Sequence, residues 1–290
     1  MELLTCAANV SEGRRLNVVS AIAQAADRPP AHLLDVHSDP DHNRSVFTVA
    51  GESIPIVDAV LAAAEVAVGG IDLGSHAGVH PRLGAVDVVP FAPLADSTMP
   101  EAVAAARACA RKLWEELGLP SFLYGEAASG RSLPEVRRRA FRDLAPDYGG
   151  PGPHPTAGAV AVGARQVLVA YNVDLATEDL EVARRIAAAI RQSGPEAGLP
   201  YVRALGFALP SRGIVQVSTN LLRPEVTGMG TVFETVASLA AAEGVAVAGS
   251  EIVGLAPRAA LPPSAAYLKL QEPQRVLEDE VFRAFGPPQH

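Results

Sequence analysis

The stretch VRALGFALPSRGIVQVSTN, residues 202–220, predicts two β-strands joined by the turn PSRG at 210–213. Before it, residues 177–191 carry acidic side chains first and arginines later, which favours a helix, and an apolar strand is predicted at 166–173. After it, residues 231–243 have helical spacing and lead through Gly244 into an apolar run at 245–253. The order β-α-β-β-α-β predicts a split βαβ, or ferredoxin-like, unit.

The first ninety residues predict the same order of elements. Apolar runs indicate four strands, and helical spacing of apolar residues indicates two helices. The strands are expected at 3–9, 32–37, 45–50 and 85–90, and the helices at 14–25 and 56–68. We therefore predict an α+β fold with two tandem βαββαβ subdomains.

An α-β-α insert is predicted between the two repeats, with helices at 100–117 and 133–142 around a strand at 121–124. The Pro/Gly-rich segment APDYGGPGPHPTA, residues 145–157, is typical of a domain boundary. We expect one subdomain at 1–150, a second at 151–261, and a tail at 262–290 with one helix near 276–285.

Composition limits the classes of function. The 290 residues include 24 Lys and Arg against 32 Asp and Glu, a net charge of −8 that does not favour binding to nucleic acid. The longest apolar run, 59–70, is interrupted by Glu65, so we expect no membrane span, and the N-terminus does not resemble a secretion signal. Two cysteines, Cys6 and Cys109, are expected to be reduced core thiols. These features indicate a cytoplasmic protein.

His80 is the leading candidate for chemistry, in the segment HAGVHPRLGAVDVVPF at 76–91. Gly78 and Pro81 argue against a helix, so we predict a loop that leads into a strand. An imidazole titrates near pH 6.5 when unperturbed and can carry protons at neutral pH. Two alternatives stay open: a metal site formed with His76, and a loop histidine bonded to backbone.

Two other segments could bind an anion or a ligand. The hairpin tip HSDPDHNR at 37–44 is either a solvated turn or a site in which Arg44 contacts an anion. The glycine-spaced segment GAVAVGAR at 158–165 is either a place where a ligand approaches the backbone, or a β-bulge or tight strand entry.

Polar residues also interrupt predicted strands in the second half. Asn172 lies in an apolar run, and Gln216, Ser218 and Asn220 alternate along one face of a strand. That face is either solvent-exposed or lines a cleft. Glu126, after a short aromatic strand, is either a buried acceptor or a surface charge.

Seven ordered segments together resemble one family, the glutamate formiminotransferase domain. The segments are NVSEG at 9–13, NRSVFT at 43–48, HPRLGAVDVVPF at 80–91, LYGEAA at 123–128, GARQVLVAYNV at 163–173, QVSTNL at 216–221 and GSEIVGLAP at 249–257. The resemblance implies transfer of the formimino group from N-formimino-L-glutamate to N5 of tetrahydrofolate, as in histidine degradation. It also implies a homodimer, no metal, and a folate cleft between the subdomains.

The resemblance assigns roles to particular positions. His80 corresponds to the family's catalytic acid/base. The folate-binding stretch corresponds to Gly158, Ala159, Val160, Ala161, Val162, Gly163, Ala164, Arg165, Gln166 and Val167. Further positions expected to bind substrate or support the site are Asn9, His37, Asp39, Asn43, Arg44, Arg82, Glu126, Asn172, Gln216, Ser218 and Asn220.

Arg44, Arg82 and Arg165 are the partners expected for the carboxylates of the donor and the folate. Animal members of the family carry an acidic residue where His37 stands, so the partner of His80 stays open between His37 and Asp39. They also read CVPNFSEG where this chain has CAANVSEG at 6–13. The alternatives are an enzyme of the same fold that acts on 5-formyltetrahydrofolate, and a folate-binding protein without catalysis.

Overall fold

A computed structural model describes residues 2–194, 198–262, 266–271 and 275–287. The chain forms two compact units. The first unit contains the residues up to Gln166 and those from Ala284 onward, and the second unit contains Val167 to Arg283. The structure therefore divides the chain later than the expected boundary at 150/151. Within the expected tail, residues 263–265, 272–274 and 288–290 lie outside the described part.

The first unit begins with the predicted βαββαβ order. Its strands are β1 (Glu2–Val10), β2 (His32–Asp39), β3 (Arg44–Gly51) and β4 (Val86–Ala95), and its first helices are α1 (Leu16–Ala26) and α2 (Ser53–Gly70). The strands pair in the order β2-β3-β1-β4, all antiparallel. Alternate residues of β1, among them Leu4 and Cys6, are buried in the core with α1 and α2, as a two-residue period requires.

The insert contains one strand more than expected. It consists of α3 (Met99–Leu117), β5 (Ser121–Gly125), α4 (Leu133–Arg139) and β6 (Val160–Ala164). Strand β6 lies between β4 and β5 and is parallel to both, so the sheet has six strands. Because β6 completes this sheet, residues 151–166 belong to the first unit. Helix α4 also ends three residues before the predicted 142.

Glycine 163 permits the close approach of β6 to β5. A Cβ at this position would lie 2.6 Å from the ring of Tyr124. The glycine in the second half of segment 158–165 is therefore needed for packing within a buried parallel strand. The spacing of glycines in the sequence does not by itself distinguish such a strand from a loop that binds a ligand.

The second unit confirms the repeat. It consists of β7 (Val169–Leu175), α5 (Leu180–Ile190), β8 (Val202–Leu209), β9 (Ile214–Leu221), α6 (Met229–Ala242) and β10 (Val247–Ile252). The antiparallel sheet has the order β10-β7-β9-β8, which matches β4-β1-β3-β2 of the first unit. Tyr171, Val173 and Leu175 of β7 pack in the core with α5 and α6. Asn172 and Asp174 therefore point to the opposite face.

Helix α2 is long and apolar enough to cross a bilayer by length and composition alone, although no span was expected. Ile56, Val60, Ala64 and Ala67 are among its residues that are buried in the core of the first unit. These contacts are those of a core helix.

The last described helix, α7 (Leu277–Phe285), matches the helix expected near 276–285. Its C-terminal end belongs to the first unit. There the ring of Phe285 meets the ring of His32 edge to face, with centroids 5.1 Å apart. The first and last parts of the chain thus meet in one unit.

Candidate functional site

His80 lies in an irregular loop between α2 and β4, as predicted, and not in a helix. Arg82 fixes this loop from within, since its Nη2 donates to the carbonyl oxygen of His80 at 2.9 Å and its Nη1 contacts the His76 ring. Gly78 is required because a Cβ there would lie 2.4 Å from the carbonyl oxygen of His42.

Three of the motif segments meet around this loop. Asn43 is buried and joins two of them, since its Oδ1 accepts from the Gly13 amide at 3.0 Å and its Nδ2 donates to the carbonyl of Ala77 at 2.9 Å. The Ser11 hydroxyl donates to the carbonyl of Gly84 at 2.8 Å. The structure therefore explains why segments 9–13, 43–48 and 80–91 occur together.

The imidazole of His80 has a defined hydrogen bond on one side. Its Nδ1 lies 2.7 Å from the carbonyl oxygen of Pro81. A carbonyl only accepts, so Nδ1 carries the proton and, in the neutral ring, Nε2 carries the lone pair. In this tautomer Nε2 is the basic nitrogen of the ring.

The pKa of His80 is lowered to about 3. Burial is the main cause, and the positive charges of Arg44 and Arg137 add to it, while Asp87 opposes them. Burial and these positive charges therefore favour the neutral form of His80 in the ligand-free protein, in contrast to the expectation of an imidazole that titrates near neutrality.

Asp87, on β4, is the charged centre beneath the loop. Its carboxylate is fully buried and forms ion pairs with Arg44 and, at 2.6 Å, with Arg137. It also accepts from the backbone N–H of Leu83 at 2.5 Å. Burial alone would raise the pKa of Asp87, but the two guanidinium groups and the hydrogen bonds hold it well below its usual range.

Sequence reasoning missed Asp87 and Arg137. The signal for Asp87 was present, because a carboxylate interrupts the apolar run at 85–90 and a buried charge needs a partner. Arg137 lies on the predicted basic helix and had no such signal, since three consecutive arginines occur there.

Arg44 was expected to contact an anionic substrate. Its guanidinium instead forms internal bonds, to Asp87 and from Nε to the side chain of Asn9 at 3.0 Å, and its side chain is 13% exposed. The guanidinium of Arg44 is thus a positive charge that is held in place below the surface by Asp87 and Asn9. Asn9, also expected at the site, holds that guanidinium.

The expected partners of His80 lie on the hairpin tip. Asp39 ends β2, and its carboxylate accepts from the backbone N–H of His42 at 2.6 Å. The ring next to His80 is that of His42, which is buried, with centroids 5.9 Å apart. His37 lies on β2 opposite Val46 and is partly exposed. Sequence reasoning had not singled out His42 as a neighbour of His80.

The stretch expected to bind folate is mainly interior. Ala159, Val160, Ala161, Val162 and Ala164 are fully buried, and Gly163 is also buried. The side chains of Val160, Val162 and Ala164 pack in one hydrophobic core, and those of Ala159 and Ala161 pack in another. Only the ends of the stretch reach solvent, namely Gly158, which has a positive φ of 72°, and Arg165, Gln166 and Val167. Arg165 donates to the carbonyl of Gln166 at 2.8 Å.

The polar residues of the second unit form one network on the sheet face away from its helices. Gln216 is buried and donates to Asp174 and to Glu251, each at 2.9 Å, and Asn172 donates to Glu251 at 2.9 Å. Ser218 is partly buried opposite Asn172.

Two expected site residues are at the surface. Asn220, at the end of β9, is exposed, so the expected polar face of that strand is buried at one end and open at the other. Glu126 is exposed, which makes it a surface charge and not a buried acceptor.

Within the described part of the chain, no three His, Cys, Asp or Glu side chains are grouped so as to hold a metal ion. His76, which lies four residues before His80, contacts the guanidinium of Arg82.

Comparisons with known proteins identify relatives of both halves of the chain. The N-terminal subdomain model of the formiminotransferase domain matches residues 3–165, and a second formiminotransferase domain model matches 170–283. A glutamate formimidoyltransferase of Streptococcus pyogenes is 42% identical over 273 residues, covering 90% of this chain and 91% of that protein. One of Thermoplasma acidophilum is 41% identical over 276 residues and 90% of each chain.

Relatives whose names include a second activity, that of a cyclodeaminase, also match this chain. The formimidoyltransferase-cyclodeaminase of Sus scrofa is 42% identical over 296 residues, which cover 96% of this chain and 54% of that protein. Both matched models, and relatives matched over nine tenths of their length, lead to one conclusion. This chain belongs to the formiminotransferase domain family.

Proposed function

We propose that this protein transfers the formimino group from N-formimino-L-glutamate to N5 of tetrahydrofolate, which gives 5-formiminotetrahydrofolate and L-glutamate. The two relatives named glutamate formimidoyltransferase support the reaction, since each matches over nine tenths of its length. The observation that carries the site is a neutral His80 whose Nδ1–H is bonded to backbone, which leaves Nε2 as the basic nitrogen.

His80 would act on the proton that the transfer must move. The N5 lone pair attacks the formimino carbon, and the C=N electron pair moves to nitrogen in a tetrahedral adduct. Nε2 of His80 accepts the proton that N5 loses. The electron pair on the former imine nitrogen then re-forms the C=N bond, the bond from carbon to the glutamate nitrogen breaks, and the imidazolium gives its proton to that departing nitrogen. One imidazole thus serves both steps.

A low pKa suits the second step more than the first. An imidazolium that loses its proton easily is a strong acid toward the departing nitrogen, but the neutral ring is a weak base. Anionic substrates near Arg44 and Arg137 would offset the positive charge that adds to burial in lowering the pKa of His80, and would raise that pKa. Substrate binding would thereby strengthen the base when it is needed.

The first test is the reaction itself. The protein, formiminoglutamate and tetrahydrofolate are incubated together, and the release of glutamate is measured with and without the folate. Release that depends on tetrahydrofolate is expected, and its absence would refute the proposed function. A parallel incubation with 5-formyltetrahydrofolate, followed for hydrolysis or cyclisation, tests the alternative enzyme of the same fold.

The second test is the change His80→Ala. We expect turnover to fall at least ~100-fold with folate affinity changed less than ~3-fold, because an acid/base group is lost and no binding contact is removed. His32→Gln, which changes a histidine of β2 that packs against Phe285, is the control. Near-normal turnover of the His80 variant would remove His80 from catalysis. Folate binding without any glutamate release by the unmodified protein would instead favour a folate-binding protein without catalysis.

The third test concerns the accessible end of β6. We propose that Gly158, Arg165, Gln166 and Val167 contact the folate, with Arg165 facing a carboxylate of its tail. Arg165→Ala should weaken folate binding in equilibrium titration by roughly tenfold, the loss expected for about one charge-assisted hydrogen bond. Unchanged affinity would exclude Arg165 from the site.

We also propose a homodimer in the cytoplasm that binds neither nucleic acid nor membrane. The negative net charge and two free, buried cysteines support a reducing compartment and the lack of polyanion binding. Light scattering after size-exclusion chromatography tests the dimer, and a monomeric mass would overturn it.

A further inference from the structure

One carbonyl oxygen joins His80 to a residue that no sequence signal identified. The carbonyl oxygen of Pro81 lies 2.7 Å from Nδ1 of His80 and also accepts from Nη1 of Arg137 at 2.9 Å. The acceptor that holds the imidazole is therefore itself held by a side chain from α4.

Arg137 is in turn anchored at its other nitrogen. Its Nη2 donates to Oδ2 of Asp87 at 2.6 Å, and the Arg137 side chain is 19% exposed. The second oxygen of Asp87 accepts from the Leu83 amide, so the same carboxylate ties down both the guanidinium and the end of the loop. The planar guanidinium has two nitrogens with fixed directions, which lets it bridge a carbonyl and a carboxylate.

This arrangement controls which nitrogen of His80 bears the proton. The tautomer of a neutral histidine is set by the hydrogen bond that one ring nitrogen makes, and here that bond depends on the place of the Pro81 carbonyl. If the carbonyl turned away, Nδ1–H would lose its acceptor, and the tautomer with the proton on Nε2 would gain population. A ring protonated at Nε2 has no lone pair there to take a proton.

We propose that Arg137 is a positioning residue of the transfer reaction: it holds the Pro81 carbonyl, with Asp87 as its anchor, and thereby fixes the orientation and tautomer of His80. The inference rests on the proposed role of His80. Arg137 does not need to touch either substrate for this effect.

The test compares Arg137→Gln with Arg138→Gln. Arg138 is exposed on the same helix, so its variant makes the same change of charge without a contact to the loop. For Arg137→Gln we expect kcat to fall ~10–100-fold and KM for both substrates to change less than ~3-fold, since an interaction that orients the base is lost. The Arg138 variant should keep the kcat of the unmodified protein.

A spectroscopic measurement separates positioning from a structural role. The ¹⁵N chemical shifts of the His80 ring, assigned by their absence in His80→Gln, report which nitrogen is protonated. We expect Nδ1–H in the unmodified protein and in the Arg138 variant, and a mixture of tautomers in the Arg137 variant. Millimolar methylguanidine should restore part of the kcat of Arg137→Gln.

Arg137→Lys serves if the glutamine variant does not fold. Its Nζ can keep the ion pair with Asp87 but lacks the two nitrogens with fixed directions that hold the Pro81 carbonyl as well, so kcat should fall ~5-fold or more. A kcat within twofold of the unmodified protein in every folded Arg137 variant, or an unchanged His80 tautomer, would overturn the proposal. If His80→Ala is inactive in the same assay, that failure concerns Arg137 alone. An active His80→Ala would refute the proposed role of His80, and a lack of folate-dependent glutamate release by the unmodified protein would refute the proposed function.

Discussion

Replacing Asp87 by Asn is expected to destabilise the first unit strongly. The carboxylate is fully buried and pairs with Arg44 and Arg137, so the variant leaves two guanidinium groups without a counter-charge. Removing one partner of a buried ion pair costs about 3–5 kcal/mol. Because the Arg44 and Arg137 side chains retain 13% and 19% exposure and can be partly hydrated, we expect a loss of about 3 kcal/mol.

The loss has a defined dependence on pH. The pKa of Asp87 is lowered in the folded protein, so its contribution is present above the unfolded pKa of about 3.9 and is lost as the pH falls toward the folded pKa. The difference between the unmodified protein and Asp87→Asn should therefore be constant from pH 8 to 5 and should shrink below about pH 4.

The single tryptophan provides the assay. Trp114 lies on α3 of the first unit, so its fluorescence during urea unfolding follows that unit. Asp58→Asn is a matched control, because Asp58 also forms an ion pair, with Lys112 at 2.7 Å, but is 42% exposed. Such a pair contributes at most about 1 kcal/mol. A loss below 1 kcal/mol for Asp87→Asn, or a difference that stays constant down to pH 3, would refute the argument.

Three further predictions concern the loop and the thiols. Gly78→Ala should lower kcat at least ~10-fold in the glutamate-release assay, because its Cβ would lie 2.4 Å from the carbonyl oxygen of His42 and must shift the loop; normal kcat would contradict this. The pH below which kcat/KM declines should lie well below 6.5, because a base works above its pKa and the pKa of His80 is about 3 in the free enzyme. The pH below which kcat declines should be higher, because bound anionic substrates raise the pKa of His80. The same pH for both declines would argue against that effect of the substrates. Burial raises the pKa of Cys109 to about 12 and that of Cys6 well above its usual value, so neither thiol should react with a disulfide reagent at pH 8 until the protein is unfolded in urea, and rapid reaction of the native protein would refute their burial.

The sequence predicts much of this fold because most elements have a clear period. The two βαββαβ units and their helices follow from alternation in the strands and from helical spacing between them. Strand β6 has no such signal. It is a run of small apolar residues buried on both faces, which resembles a glycine-rich loop as closely as a parallel strand.

The candidate site was predictable only in part, for a similar reason. His80, Arg82 and Asn43 lie in segments whose residue types suggest chemistry. The ion pair of Asp87 with Arg137 joins residues 50 positions apart, and which of three adjacent arginines reaches the carboxylate depends on how α4 packs. The lowered pKa of His80 likewise follows from burial and from charges distant in sequence.

The contact between His32 and Phe285 also bears on how the chain folds as it is made. Synthesis proceeds from the N-terminus, so β2 leaves the ribosome long before Phe285 exists. The first unit can form its sheet early, but the His32 ring lacks its contact with Phe285 until the whole second unit has been translated. A ribosome-bound chain that ends before α7 should therefore expose this part of the first unit to chaperones or proteases, and release of the complete chain should close it.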